Sequence, residues 1–210
     1  MIALGLFSSA APGGAAAPAV PDAARSRRVT RWAAAASLLP LPLWFITSAL
    51  LAPAPAWRGE YRENAGFTGA GAVLHERLLQ RYWDKSYPAV PGDLSYKSFV
   101  ARWDTCLSSN EAHDVPFMLV ADGSATLTID GAERLRAQSA SGMRATRGDT
   151  IRLEPGTHHL HVELTPRGWP SIALLASFDG GPPSPIGSGQ LAKGVTTAPP
   201  KDGAAPCTSP

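Results

Sequence analysis

The stretch FMLVADGSATLTIDG, residues 117–131, alternates apolar and polar side chains and carries two Asp-Gly pairs, Asp122-Gly123 and Asp130-Gly131. Alternation with period two marks a half-buried strand. Each Asp-Gly pair reads as a turn, because glycine adopts positive φ without steric cost and aspartate hydrogen-bonds the backbone just beyond it. The expectation is a strand over residues 117–120, a turn over 121–124, a return strand over 125–129 and a second turn at Asp130-Gly131. The same two aspartates are also carboxylates that could hold a ligand.

The pattern continues outward from this stretch. FVARWDTCL, residues 99–107, puts Phe99, Ala101, Trp103, Thr105 and Leu107 on one strand face and Val100, Arg102, Asp104 and Cys106 on the other, with the first face the core candidate. Further strands are read over residues 150–153, 159–164 and 171–178, with Pro155-Gly156 and Arg167-Gly168 as the turns between them. No run of apolar residues at helical spacing follows Trp57. Eight to ten short strands divided by turn residues predict an all-β domain, a single β-sandwich or barrel.

A chain of 210 residues with 44% hydrophobic content has room for one packed domain plus tails. Glycine and proline, 20 of each, crowd both ends, so residues 1–31 and the Pro/Gly-rich residues 181–210 read as disordered extensions. The net charge of +2 and the absence of a long basic stripe argue against nucleic acid as a partner. Cys106 and Cys207 match neither a disulfide framework nor a zinc pattern. They are read either as two unrelated thiols or as one bridge formed in an oxidising compartment.

Residues 32–56, WAAAASLLPLPLWFITSALLAPAPA, contain no ionisable side chain and are long enough for a transmembrane helix. Pro40 and Pro42 are tolerated in such a helix. Arg25, Arg27, Arg28 and Arg31 precede it, which places the N-terminus in the cytoplasm and everything after Trp57 in an extracytoplasmic position at the cell envelope. Ala54-Pro55-Ala56 also has the small-x-small form of a signal-peptidase site, so a single-pass anchor and a cleaved, secreted domain are both open readings.

Four elements in order resemble the PA-fourteen domain family, first described in the protective antigen of anthrax toxin. They are WRGEYRENAGFTG, FVARW, FMLVADGSATLTIDG and LEPGTHHLHVEL, and together they cover residues 57–180. The resemblance implies the protective-antigen type of β domain and, as the commonest activity, non-catalytic carbohydrate binding. In the adhesin branch an adjacent Asp-Asp pair helps hold a calcium ion that coordinates sugar hydroxyls. Here Gly123 stands where the second aspartate would be, which leaves Asp122 alone as the candidate calcium ligand against a purely structural role in the turn.

Other candidates come from residue chemistry. Tyr82, Trp83, Tyr87 and Tyr96 cluster before the FVARW strand, and Trp169 sits at an apparent hairpin tip; aromatic rings can stack on the apolar face of a sugar or simply pack a core. Asp122, Trp169, Tyr82 and Trp83 are the expected ligand-binding set. His159 and His161 share a strand face beside His158, and imidazole is a common metal ligand, but a third ligand, with His75 and His113 the nearest candidates, cannot be located on the strand itself. No GxSxG, HExxH or phosphate-loop motif is present in the sequence, and no enzyme is expected. Two functions remain: a membrane-anchored glycan-binding module, and a structural or protein-interaction domain of the cell envelope without sugar affinity.

Overall fold

The computed structural model describes residues 54–83, 90–92, 94–95, 98–187, 191–192, 194–201 and 207. All of them belong to one compact unit, Pro53–Pro210. The expected membrane span therefore lies outside the described residues except for residues 54–56, as do Tyr87 and Tyr96. No described helix is long and apolar enough to cross a membrane. Residue 56 belongs instead to the β domain: Ala56 is fully buried, its N–H donates to the Glu76 carbonyl at 2.8 Å, and its own carbonyl accepts from the Thr105 hydroxyl at 2.7 Å.

The described residues are all-β, with ten strands. In chain order these are β1 (Trp57–Arg62), β2 (Gly71–Glu76), β3 (Gln80–Tyr82), β4 (Val100–Ser109), β5 (His113–Ile129), β6 (Ala132–Gln138), β7 (Arg144–Leu153), β8 (Gly156–Ala176), β9 (Ser184–Pro185) and β10 (Val195–Ala198). The main order is β2-β1-β4-β8-β5-β6, with β10 on β4, β7 on β5, and β3 and β9 on β8. All of the strand pairs are antiparallel.

The architecture follows from the two longest strands. The second half of β5 pairs with β6 and with the first half of β8, whereas the first half of β5 pairs with β7 and with the second half of β8. Between the halves the β5–β8 ladder is interrupted by a bulge at Asp122/Gly123, opposite Pro166 and Ser171. A bulge bends a strand and increases its local twist. Both strands bend at the same place, so one ladder contributes to two layers, an arrangement consistent with a β-sandwich.

Two expectations from sequence change accordingly. Residues 121–124 do not reverse the chain: β5 is one continuous strand. Arg167-Gly168 is likewise a bend within β8 and not a hairpin tip. Gly and Asp-Gly signals report where the backbone departs from a straight strand, which a corner does as well as a turn. Asp130-Gly131 is the true hairpin, joining β5 to β6 with φ of 52° and 77°.

The packed domain also continues past residue 180. β10 pairs with Ser109–Cys106 of β4, Val195 is fully buried, and Cys207 is joined to Cys106. Proline and glycine richness does not prevent packing, and among the described residues past 180 Ile186 and Val195 are fully buried.

The core is aromatic at one end. Trp83, Tyr61, Phe99 and Trp103 are buried and meet edge-on, tilted or, for Trp83 and Trp103, stacked, with Tyr61 and Trp103 centroids 5.6 Å apart. The five residues predicted for the inner face of β4 are all buried. Glu76 lies among these rings and is fully engaged: it accepts from Trp103 Nε1 at 2.6 Å, from Tyr61 OH at 3.1 Å and from Arg81 Nε at 2.7 Å. Burial and the neighbouring Glu76 carboxylate push the Tyr61 phenol upward, so it stays a donor.

The disulfide closes a loop of 101 residues, and restricting the unfolded chain over that span stabilises the fold by about 2–4 kcal/mol. Reduction, or Cys207→Ser, is expected to lower the unfolding free energy measured in urea by that amount. An unchanged midpoint would mean that the bridge is dispensable.

Candidate functional site

The corner gathers most of the sequence-predicted site. Asp122 and Ser171 face one another across the β5–β8 ladder, and Ser171 faces Tyr82 of β3 on its other side. Trp169 lies two residues from Ser171 along β8, and the Trp83 N–H donates to the Pro170 carbonyl at 2.8 Å. Tyr82 and Trp169 are each 48% exposed. Trp83 is the exception: it is buried against Tyr61 and Phe99, so it is a core residue and not a ligand platform. The reason is alternation: Trp83 continues the β3–β8 register one residue past Tyr82 and so takes the opposite face, the one that buries Leu79.

Between Tyr82 and the β5–β8 ladder runs a largely apolar groove of about 540 Å³, lined by Arg81, Tyr82, Val120, Met143, Ser171 and Leu175 among others. On the other side of the bulge a cleft of about 620 Å³ with a mixed lining is bounded by Ser124, Gln138, Arg144, Pro166 and Arg167 among others. Met143 and Arg144, adjacent in sequence at the start of β7, line the groove and the cleft respectively. Arg167 is marked in the sequence only as part of the Arg167-Gly168 turn, and no motif marks Met143 or Arg144. They follow the small-residue loop Ser139–Gly142, held by the Ser139 hydroxyl donating to the Gly142 carbonyl at 2.6 Å.

Asp122 itself is 1% exposed. Its Oδ2 accepts the Trp169 N–H at 2.9 Å, so the carboxylate clamps the bent segment of β8 that presents the indole. Its Oδ1 and the Ser171 hydroxyl have no hydrogen-bond partner among the described residues. Calcium takes six to eight oxygens, usually from more than one carboxylate. One free carboxylate oxygen and one hydroxyl do not make that donor set, and the residues present do not fit a calcium site of the adhesin kind.

Gly123 explains why the second carboxylate cannot simply be added. Its φ is 111°, and a Cβ there would lie 2.4 Å from the Thr165 carbonyl oxygen. The position is closed by backbone on the facing strand, whatever the side chain.

The histidines separate into two groups. His158 Nδ1 bonds Asp130 Oδ2 at 2.7 Å, and Asp130 Oδ1 accepts the His159 N–H at 2.9 Å, which ties the β5–β6 hairpin to β8. Burial pushes the His158 imidazole down, but the Asp130 carboxylate outweighs it and the net shift is upward. His159 and His161 point to the outer face of β8 and converge on Asp104. His113 sits elsewhere, against Phe178 and Asp179, and His75 is on β2.

No family model matches the chain, and no curated protein does. Among solved structures it is similar to an anti-sigma factor domain-containing protein, with a TM-score of 0.58 and 20% identity over 72% of this chain and 50% of that one. It is similar to the PA14 sugar-binding domain from RTX adhesin, with a TM-score of 0.51 and 14% identity over 64% of this chain and 96% of that one. It is also similar to an anti-sigma factor domain-containing protein from Clostridium clariflavum, with a TM-score of 0.55 and 18% identity over 65% of this chain and 47% of that one. The chain thus spans about half the length of the two anti-sigma-factor-domain proteins. At these identities the likeness shows the fold alone, which is the one shared with the adhesin domain.

The corner makes a direct prediction. Gly123→Ala is expected to destabilise by about 2–4 kcal/mol, because positive φ and a backbone clash act together. Gly131→Ala, with φ of 77° and nothing within 4 Å of the added Cβ, should lose only the conformational part, about 1–2 kcal/mol. Equal losses in urea denaturation would show that the contact with Thr165 is not restrictive.

Proposed function

We propose that this chain is a membrane-tethered, extracytoplasmic glycan-binding module without catalytic activity. The observation that carries the reading is a largely apolar groove lined by the half-exposed Tyr82, with a second half-exposed aromatic, Trp169, two residues along β8 from the groove residue Ser171, and an arginine-bearing cleft lined by other residues of β5 and β8. Sugars offer an apolar face to aromatic rings and hydroxyls to a few placed donors, and binding sites of this kind combine the two. The likeness to the sugar-binding domain of an adhesin agrees with it.

Asp122 acts in this reading by holding the Trp169 backbone, not by touching the sugar, and no calcium takes part. The extracytoplasmic assignment is supported by the Cys106–Cys207 bridge, since such bonds persist in oxidising compartments. Tethering is supported by Ala56. Cleavage before Trp57 would strip the Ala56 hydrogen bonds from the sheet and leave a charged amine at the fully buried Trp57.

A second reading, a protein-interaction domain of the cell envelope without sugar affinity, is favoured by the likeness to two proteins described as containing anti-sigma factor domains. The two are separated by binding of the full chain to a panel of neutral and acidic glycans, with calcium and with a chelator. The expected result is calcium-independent binding that weakens about tenfold or more in Trp169→Ala and Tyr82→Ala. Absence of binding across the panel would overturn the glycan reading and leave the interaction domain.

A further inference from the structure

On the outer face of the sheet, away from the groove, two neighbouring strands bring together a donor set that the glycan reading does not use. Asp104 of β4 lies directly opposite His161 of β8, and His159 is two residues along on the same side. Asp104 Oδ1 bonds His161 Nδ1 at 2.7 Å and His159 Nε2 at 2.9 Å. One ligand atom from each residue lies within 4.8 Å of the other two. We propose that Asp104, His159 and His161 form a binding site for a zinc-type divalent cation.

Three features of the cluster support this. The first is ligand chemistry: two imidazoles and one carboxylate suit zinc and its borderline neighbours, whereas calcium and magnesium require mainly oxygen. The second is the outer partner of His161. Its Nε2 bonds Glu163 Oε1 at 3.0 Å, so Nδ1 faces the cluster while a carboxylate orients the far side of the ring. Carboxylate partners of this kind orient metal-bound histidines and raise their basicity. The third is the scaffold. β4 is paired on one side with β8 and on the other with β1 and β10, and β8 is itself paired with β5, so the ligands stand on central, well-supported strands.

The geometry needs little adjustment. Ligand atoms around a tetrahedral zinc stand roughly 3.4 Å apart, so the two hydrogen-bonded contacts to Asp104 would open by about 0.5–0.7 Å, within reach of side-chain rotation. Cys106, opposite His159 in the ladder, is held in the disulfide and offers no thiolate. Arg58 stands opposite Asp104 on β1, but it also approaches Glu60 at 3.8 Å, which draws its charge toward that carboxylate. The three side chains are 16–21% exposed, so a cation can enter from solvent, and three protein ligands leave a coordination position for water or a partner's donor.

The test is a zinc titration of the full chain, carrying no polyhistidine tag and stripped with chelator, read by calorimetry and by the absorption of cobalt as a substitute. The expected result is one ion per chain with the visible spectrum of tetrahedral cobalt. Asp104→Asn and His161→Gln should abolish binding, and His75→Gln should leave it intact. Glu163→Gln, at an exposed position that the fold does not need, should weaken affinity about 10–100-fold. It keeps the test decisive even if a ligand variant misfolds. Absence of stoichiometric binding, or equal affinity in the wild type, His161→Gln and Glu163→Gln, would overturn the proposal. Glycan binding has no part in this readout, so the site stands or falls apart from that reading.

Discussion

The fold depends on one constraint, the shared bend of β5 and β8. At Gly123 the two backbones approach so closely that no Cβ fits beneath the Thr165 carbonyl, and the ladder register shifts there. A carboxylate that is 1% exposed then fastens the bend by accepting the Trp169 N–H. A buried carboxylate is tolerated only when such bonds compensate its lost hydration. The bend therefore does two things with the same atoms: it folds one long ladder into two layers, and it fixes the backbone of a half-exposed tryptophan.

Beneath the bend the core is closed by a second buried carboxylate. Glu76 collects Trp103, Tyr61 and Arg81, residues that come from three different strands or their ends. Arg81 is followed by Tyr82, which faces the groove, so the ion pair that satisfies Glu76 also fixes the strand that carries one of the exposed aromatics. Replacing such a pair with apolar residues of equal volume can leave stability unchanged, whereas removing one partner alone is severe. That asymmetry gives the arrangement specificity: register of β3 on β8 is tied to a buried polar contact and not to packing alone.

Much of the architecture was legible because strand alternation is local. The inner face of β4, the Asp130-Gly131 hairpin, the break before Gly156 and the number of strands all follow from residues within one segment. The corner did not, and the comparison of the two Asp-Gly pairs shows why. Asp130-Gly131 and Asp122-Gly123 are the same dipeptide in the same alternating stretch. At the first, both residues have positive φ and the chain reverses; at the second, only the glycine does and the strand continues. The difference lies in what stands opposite, the bent run from Thr165 to Pro170, and no property of residues 117–131 encodes it. The path of residues 181–201 escaped for a related reason, since β10 has meaning only against β4.

The sites divide along the same line. Tyr82 and Trp169 could be named from their chemistry, although Trp83, of the same chemistry one residue from Tyr82, is core because successive strand residues face opposite ways and Trp83 takes the inner one. The histidine pair could be placed on one strand face, but a strand supplies ligands only at every second residue along one line. The third must come from a neighbour, and its identity is a matter of register. Asp104 was visible on the outer face of its own strand; only the pairing of Asp104 with His161, fixed by nine residue pairs along β4 and β8, brings the carboxylate between the two rings. A shift of one residue would put Asp104 on the core face and disperse the cluster, while the same shift would expose Trp103 and Leu107. The hydrophobic pattern that specifies the core thus also specifies the ligand set, without any of the three polar residues contributing to the choice.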